Sequence, residues 1–332
     1  MSNLEFNLVS DIMDRAGEVT KPDVSIIYDV LIIGGGPAAM AAAVYCSRKS
    51  MILAVIADEF GGQIADTSAV ENYLGFQMIQ GRELADRFVE HMKGFDIPCA
   101  TGEKAVAVAR EEDAFSVTLE GGAVYRSRTV VVATGRRYRP LGVPGERELT
   151  GRGVSYCTIC DAPFFKDKRV VVAGGGNSAF TAAFDLLKLA AEVTLVNIAP
   201  DWQADPVLRE PVEEDARAKL LANHKFVRIE GEKKVAAAVL EDVASGDQRR
   251  IETDGVFVEI GGVPNSDLVK GLARLNPAGE LVIDCSCRTS VEGLFGAGDV
   301  TTVPYKQVVV SAGEGAKAGL SAYAYLRGRG TS

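Results

Sequence analysis

The stretch "YDVLIIGGGPAAMAAAVYCSRK", residues 28 to 49, carries the pattern that decides the fold. An apolar run at its start predicts a buried strand, a glycine turn follows, and an alanine-rich segment predicts a helix. In the G-x-G-x-x-G/A pattern, Gly34 permits the tight turn, Gly36 lets the backbone approach a pyrophosphate, and Ala39 allows close helix packing. The helix N-terminus then faces the phosphates. The stretch therefore predicts a dinucleotide-binding unit.

The chain that follows supplies the rest of this unit. A second apolar strand is predicted at 51–57, "MILAVIA", and it ends at Asp58 and Glu59. A carboxylate at this point can accept a hydrogen bond from a ribose hydroxyl.

The same pattern recurs in "RVVVAGGGNSAFTAAFDLLKLAAEVTLVNIAP", residues 169 to 200. It predicts a strand, a turn at Gly174 to Gly176, a helix containing Ala179, and a second strand at 193–196. A single glycine turn can serve only to pack a helix on a sheet, but two complete units favour two dinucleotide sites. One dinucleotide would be a held cofactor and the other a hydride donor, so a flavin and a nicotinamide are the expected pair.

The second unit bears on the choice of nicotinamide. Its second strand is followed by Asn197, where NAD sites usually place an acidic residue and NADP sites supply arginines. An amide can hydrogen-bond a ribose hydroxyl but offers no charge for a 2′-phosphate, and the nearest downstream arginine is Arg209. The sequence therefore favours NADH over NADPH.

Cys157 and Cys160 lie in "YCTICDAPFF" and form a C-x-x-C pair on a predicted short turn. Such a pair can form a small-ring disulfide that exchanges with another dithiol, and the adjacent Asp161 could donate or accept a proton. A zinc site would need further ligands, and the other close pair is Cys285 with Cys287, in a segment predicted to be strand-like. The sequence favours the redox pair over the zinc site.

The remaining cysteines and the histidines suggest no further site. Cys46 in the first helix and Cys99 ahead of a predicted strand are interpreted as buried thiols. His91 and His224 are the only histidines and are interpreted as surface or packing residues.

Composition narrows the class of protein. The 332 residues allow about two domains, and 47% hydrophobic residues with 24% charged residues are typical of a globular protein. A net charge of -9 without a basic run disfavours nucleic acid. There is no secretory signal pattern and no apolar stretch near the roughly 18 residues of a membrane helix, so a cytoplasmic location and no membrane contact are predicted.

The order and spacing of five motifs resemble the low-molecular-weight thioredoxin reductases, and most of all the C-terminal flavoprotein part of alkyl hydroperoxide reductase. The motifs are "GGGPAA", "FGGQIADTSAVENY", "CTICD", "GGGNSA" and "GLFGAGDVTTVPYKQVVVSAGEGAKAG". The resemblance runs from about Tyr28 to the C-terminus. It implies an α/β fold of two Rossmann-like, three-layer ββα dinucleotide-binding domains, the second inserted in the first.

The resemblance also implies domain boundaries. The FAD domain would comprise 28–140 and 264–332, the NAD(P) domain with the C-x-x-C pair 141–263, and residues 1–27 an N-terminal extension. Two crossover strands would join the domains, with hinges near 138–142 and 261–264. Leu4, Leu8, Val9, Ile12 and Met13 in the extension have a spacing compatible with a short helix, although a frayed tail fits equally well.

The site residues carried over by resemblance fall into three groups. The FAD group is Gly34, Gly36, Pro37, Ala38, Ala39, Glu59, Gly62, Gln63, Asn72, Asp299, Lys306 and Gln307. Within it, Asp299 would bind the ribityl chain, and the backbone at Lys306 and Gln307 the pyrimidine edge of the flavin. The NAD(P) group is Gly174, Gly176, Asn177, Ser178, Ala179 and Asn197. In the third group Cys160 would lie nearest the flavin, Cys157 would exchange with the partner, and Asp161 would be the general acid.

The resemblance further implies a homodimer and a large rotation of the inserted domain between half-reactions. Only about 27 residues precede the first strand, so a thioredoxin-like or glutaredoxin-like partner is expected to be a separate protein. Three departures put the electron donor in doubt: Ala39 replaces a glycine, the H-R-R-x-x-x-R motif is absent, and Asn197 replaces an acid. The rivals are a ferredoxin-fed or flavoprotein-fed reductase with a vestigial nicotinamide site, and a flavin-binding sensor or zinc-stabilised interaction protein.

Overall fold

The computed structural model describes residues 20–67 and 70–329. The helix predicted between Leu4 and Met13 lies outside the described residues. The architecture is α/β, with two largely separate sheets that each contain parallel strands flanked by helices. The two Rossmann-like units predicted from the glycine turns are present, whereas the exact domain boundaries stay a prediction.

The first sheet contains the first glycine turn. Its strands are β1 (Ile27–Ile33), β2 (Leu53–Ala57), β3 (Cys99–Thr101), β4 (Ala105–Arg110), β5 (Phe115–Leu119), β6 (Val124–Val132) and β17 (Leu294–Gly296). They are arranged in the order β3-β2-β1-β6-β5-β4, with β17 also paired to β6. Its helices are α1 (Pro37–Ser47), α2 (Gly81–Lys93) and α6 (Val308–Arg329). Strands β1, β2, β3, β6 and β17 run parallel, so their carboxyl ends meet at one edge of the sheet.

The second sheet is parallel and contains the second glycine turn. Its strands are β8 (Val154–Ser155), β9 (Arg169–Ala173), β10 (Glu192–Val196), β11 (Ala218–Leu221) and β15 (Gly255–Val258). They are arranged in the order β11-β10-β9-β15-β8. Its helices are α3 (Thr158–Asp161), α4 (Asn177–Leu187) and α5 (Pro206–Glu213). An antiparallel sheet of β12 (His224–Glu230), β13 (Ala237–Asp242) and β14 (Gln248–Glu252) packs beside it.

Two short strands cross between these units. Strand β7 (Arg136–Tyr138) pairs antiparallel with β16 (Gly262–Pro264). Gly142 and Gly261 flank this ribbon in the positive φ region, at 75° and 86°. The predicted hinge segments thus coincide with the ends of the β7/β16 ribbon.

Helices α1 and α6 pack closely because small residues line their contact. A Cβ on Gly315 would lie 2.0 Å from the carbonyl oxygen of Ala38, and one on Gly319 would lie 3.1 Å from the Cys46 sulfur. Ala39 is fully buried in the same cluster, as Ala318 is. The C-terminal helix therefore completes the unit that the first strand begins.

Three local predictions need correction. The second strand begins at Leu53, not at Met51, because Ser50 turns the chain at a φ of 56° and the Met51 amide bonds the Cys46 carbonyl. Cys99 lies in β3, not ahead of it. The segment at 285–287 is a turn, not strand-like, since the Asp284 carboxylate accepts from the amides of Ser286 and Arg288.

Candidate functional site

The first glycine turn leaves backbone open to a ligand. Gly34 has a φ of +131°, and a Cβ there would lie 2.2 Å from the Ala133 carbonyl oxygen. Gly36, by contrast, has nothing within 4 Å of a built Cβ. The turn is thus packed on its sheet side and empty on its outer side, where helix α1 begins at Pro37. Amides at such a helix start bind phosphate oxygens.

A cavity of about 890 Å³ opens at this turn. It is lined by every residue of the predicted FAD group except Ala39, which is buried beneath it. The volume lies at the upper end of the range of about 300 to 1,000 Å³ for ligand pockets. An elongated dinucleotide fits both the open glycine and this volume.

Polar side chains of the cavity are held by neighbours. Gln63 donates through Nε2 to the carbonyl of Arg136, and Asn72 donates to Gln307 at 3.1 Å. Lys306 also lines the cavity; its ammonium donates to the Thr301 carbonyl at 2.5 Å and pairs with Glu280 at 3.1 Å. Glu59 lies exposed at the end of β2 and also lines the cavity.

Asp299 is a half-buried carboxylate of this cavity. It accepts a hydrogen bond from the Ser311 hydroxyl at 3.1 Å. Burial raises its pKa, while Ser311, Lys306 and Arg136 act in the opposite direction. A buried carboxylate favours further hydrogen-bond donors, and ligand hydroxyls are such donors.

Cys157 and Cys160 form a disulfide that lines the same cavity. Their Cα atoms are 5.3 Å apart, and Thr158 to Asp161 form the single helical turn α3 rather than an irregular turn. Asp161 lines the cavity as well, and its Oδ1 atom is buried without a hydrogen-bond partner. Burial raises the pKa of Asp161, which favours the protonated acid.

Several cavity residues were not predicted from the sequence. Tyr138 and Tyr156 line the wall next to the disulfide, and burial raises the pKa of Tyr138 to about 12. Arg136 also lines the cavity, with its Nε buried and unpartnered and its guanidinium against Gly262. An arginine directly after "ATG" at the end of β6 was the available signal.

The second glycine turn repeats the geometry of the first. Gly174 has a φ of +142°, a built Cβ on Gly176 meets nothing within 4 Å, and Ala179 is buried under the turn. These residues do not line the cavity. The turn nevertheless offers the same open backbone at the start of α4.

The polar residues of this second turn differ in their accessibility. Ser178 and Asn177 are both exposed, and Asn177 exchanges two hydrogen bonds of 2.9 Å with Asp205. Asn197 is 5% exposed and donates to the Asp201 carbonyl at 2.8 Å. A Cβ on Gly175 would lie 2.4 Å from the Asn197 amide, so Asn197 packs directly on the turn.

The other cysteines and the histidines lie away from this chemistry. Cys46 and Cys99 are buried as expected, and burial raises the pKa of each to about 12. Cys285 is exposed, while the buried Cys287 donates to the Glu314 carboxylate at 3.3 Å. His91 is exposed, and His224 lies half-buried 3.9 Å from Asp242. Among the described residues, no group of three or more His, Cys, Asp or Glu side chains is placed to hold a metal ion.

Two dinucleotide turns and a disulfide in the cavity of the first define a flavoprotein disulfide oxidoreductase. The chain belongs to the pyridine nucleotide-disulphide oxidoreductase family, whose profile matches residues 28–315. Membership implies FAD and a pyridine nucleotide as cofactors. Within residues 20–67 and 70–329, no helix is long and apolar enough to cross a membrane.

Particular relatives agree with this class. The chain is 42% identical over 314 residues to the Pseudomonas putida F subunit of alkyl hydroperoxide reductase, with 94% of this chain and 60% of the relative covered. Among solved structures it is similar to thioredoxin reductase from Streptococcus pyogenes, with a TM-score of 0.87, 36% identity, and 91% and 99% of the two chains covered. Lactococcus lactis thioredoxin reductase in its FR conformation gives a TM-score of 0.62 at 30% identity, with 91% and 99% covered. The chain spans about 60% of the length of the curated relatives it matches.

Proposed function

We propose that this chain transfers electrons from NADH through bound FAD to the Cys157–Cys160 disulfide and from there to a thioredoxin-like protein. The single observation that carries the proposal is that the disulfide and the first glycine turn line one cavity. The overall reaction would consume NADH, a proton and the partner's disulfide, and release NAD⁺ and the partner's dithiol.

Residues at the first glycine turn and around its cavity would bind FAD. Amides at Gly36 and the start of α1 would bind the pyrophosphate, Glu59 a ribose hydroxyl, and Asp299 the ribityl chain. When bound, FAD supplies a ring that accepts two electrons from a nicotinamide and returns them to a disulfide. Ala39 would let α1 pack close enough to its sheet to present those amides.

The C-x-x-C pair would then pass electrons by thiol–disulfide exchange. A Cys157 thiolate would attack the partner's disulfide, and Cys160 would resolve the mixed disulfide to regenerate the Cys157–Cys160 bond. Asp161 would supply a proton to the nearby sulfur on reduction, and its raised pKa supports that role.

A rotation between half-reactions follows from this arrangement. The disulfide lines the flavin cavity while the second glycine turn does not, so a nicotinamide held at Gly176 requires another arrangement of the same units. The positive-φ glycines at 142 and 261 would absorb the change in backbone direction. The lower TM-score to the structure in its FR conformation supports a second arrangement in relatives.

The preference for NADH rests on Asn197 and the lack of a nearby arginine motif. The Asn197 amide nitrogen donates to the Asp201 carbonyl. Its oxygen accepts from the Ala199 amide at 3.4 Å and keeps a second lone pair that could accept from a ribose hydroxyl. Homodimerisation, the identity of the thioredoxin-like or glutaredoxin-like partner and a cytoplasmic location remain predictions.

Anaerobic mixing of the FAD-loaded protein with NADH and, separately, with NADPH tests the donor. We expect rapid bleaching of the flavin by NADH and slower bleaching by NADPH. Bleaching by neither would overturn the proposal in favour of a ferredoxin-fed or flavoprotein-fed reductase. Protein that binds no FAD on reconstitution would overturn both.

A further inference from the structure

Glu259 contacts both the second glycine turn and the turn that holds the disulfide, and it has no role in the proposed function above. It follows β15 directly, and its backbone lies against the second glycine turn, where a Cβ on Gly174 would approach the Glu259 carbonyl oxygen to 2.5 Å. Its side chain reaches in another direction, toward the disulfide. The Thr158 hydroxyl donates to Glu259 Oε1 at 2.7 Å.

Thr158 is the residue between the two cysteines that begins α3. It is only 5% exposed, so its hydroxyl has little access to water and depends on the Glu259 carboxylate as acceptor. The hydrogen bond links residues 101 positions apart in the chain. The turn that holds the disulfide is thereby attached to the end of β15, just before the β16 crossover strand.

The charges around Glu259 come from two further elements. On β7, Arg136 lowers the pKa of Glu259, and Glu259 in turn raises the pKa of Tyr138. On α3, Asp161 is a second carboxylate that also raises the pKa of Tyr138. Burial raises the pKa of Glu259 more than Thr158 and Arg136 lower it.

We infer that Glu259 is a positioning residue for the redox pair, which fixes the Cys157–Cys160 turn through Thr158 and, in its ionised form, opposes the Cys157 thiolate with its negative charge. The inference rests on the proposed function, because a thiolate forms only when the pair is reduced. The Glu259 carboxylate accepts from the residue next to Cys157, and two neighbouring like charges disfavour each other's ionised form. The thiolate is the nucleophile in exchange, so Glu259 limits the reactivity of the reduced pair.

The consequence for the reduced protein has a definite direction. Loss of the carboxylate charge lowers the pKa of the Cys157 thiol and stabilises the reduced state relative to the disulfide. A glutamine keeps an oxygen that accepts from Thr158, so E259Q separates the charge from the hydrogen bond. T158V does the reverse, since it removes the hydroxyl and retains the charge.

Alkylation measures the first effect without any need for turnover. In a C160S background, the rate of Cys157 alkylation by iodoacetamide is followed by mass spectrometry from about pH 5 to about pH 10, a range that spans the ordinary cysteine pKa. We expect E259Q to lower the midpoint by about one pH unit. E252Q removes an exposed carboxylate of the same unit, on β14, and is expected to leave the midpoint unchanged.

The redox equilibrium measures the second effect with both cysteines present. In a glutathione buffer at about pH 10, above the ordinary cysteine pKa of about 8.5, E259Q is expected to shift the equilibrium toward the dithiol by up to about tenfold, which corresponds to one unit of thiol pKa. T158V is expected to shift both readouts in the same direction but less, since the carboxylate loses the hydroxyl and keeps only its hydrogen bond to the backbone of residue 158. If E259Q does not fold, T158V still tests the role of Glu259.

The outcomes distinguish this inference from the proposed function. In one outcome, the wild-type pair is reduced and reoxidised reversibly, and the alkylation midpoints and redox equilibria of E259Q and T158V equal those of E252Q. This outcome would overturn the role of Glu259 and leave the electron relay intact. A wild-type pair that buffered thiol cannot reduce would overturn the relay, and the inference with it.

Discussion

The rings of Tyr138 and Tyr156 stack on each other, with centroids 5.1 Å apart and planes 16° from parallel. Tyr138 ends β7, and Tyr156 immediately precedes Cys157. The Tyr156 hydroxyl also donates to Glu146 at 2.8 Å. Two contacts thus hold the disulfide at the cavity: the stacking of Tyr156 on the crossover strand β7, and the hydrogen bond between Thr158 and Glu259.

Replacement of Tyr138 by leucine should weaken the arrangement in which the disulfide faces the cavity. An aromatic pair contributes about 0.5 to 1.5 kcal/mol beyond its burial, so the population should shift by about two- to tenfold toward other arrangements. Stopped-flow reduction of the flavin by NADH should then become faster, because the nicotinamide gains access more often. An unchanged or slower rate would contradict a role for the stack in holding the disulfide in place.

Valine substitutions at Gly36 and Gly176 should each impair the binding of one dinucleotide and leave the other bound. Gly36 and Gly176 have φ values of -84° and -97° with extended ψ, which valine adopts without strain, and neither built Cβ meets a neighbour. G36V should fold but lose FAD and its visible absorbance, because the side chain fills the space for the pyrophosphate. G176V should keep FAD yet resist reduction by NADH. If G36V retained FAD with wild-type affinity, the proposed cofactor site would be wrong.

Serine at Cys157 or at Cys160 should abolish reduction of a protein disulfide while FAD stays bound. Neither cysteine is needed for the open turn at Gly36, but both are needed for exchange. Cys285 is an exposed thiol outside the cavity, so C285S provides a matched control with unchanged turnover. Turnover is measured with a thioredoxin-like substrate and NADH. Substantial activity in either serine variant of the pair would exclude the dithiol relay.

Asp161 should make stability depend on pH in a defined direction. Burial raises the pKa of Asp161 in the folded protein, so between the unfolded value of about 3.9 and the folded value the native state binds more protons than the unfolded state. The free energy of unfolding therefore falls as pH rises through that window and stays lower above it. The neutral D161N variant escapes this loss and should have the higher Tm at neutral pH.

The comparison is made on oxidised protein from acid to neutral pH. The advantage of D161N should vanish as pH falls below the unfolded value, because both variants are then uncharged at this position. D113N, at an exposed aspartate, should follow the wild type throughout. An advantage that persists unchanged in acid would show that burial of the charge is not its cause.

Features of the structure that depend on residues close together in the chain could be predicted from the sequence. Strand, glycine turn and helix are contiguous in each dinucleotide unit, so Gly34, Gly36, Gly174 and Gly176 could be assigned from local pattern alone. The resemblance then supplied distant residues such as Asp299, which the structure brings to the same cavity as the first turn.

Contacts between distant residues could not be predicted in the same way. The bond between Thr158 and Glu259 and the stack of Tyr138 on Tyr156 join side chains whose individual identities signal nothing. The segment containing Cys285 and Cys287 was predicted to be strand-like. A single carboxylate at Asp284 converts it to a turn, with Cys287 at a φ of 63°. Hydrogen bonds from a side chain to nearby backbone amides therefore decide the conformation of this segment.

The close packing of Gly315 on Ala38 has a consequence for biosynthesis. The partner surface of α1 is encoded nearly 280 residues after it, from Ala38 to Gly315, so a nascent chain exposes the alanine-rich face of α1 until α6 leaves the ribosome. The segment around the second glycine turn, whose strands and helices all lie between β8 and β15, can close earlier. The second unit could therefore fold before α6 is synthesised, whereas uptake of the flavin would wait until α6 has packed on α1.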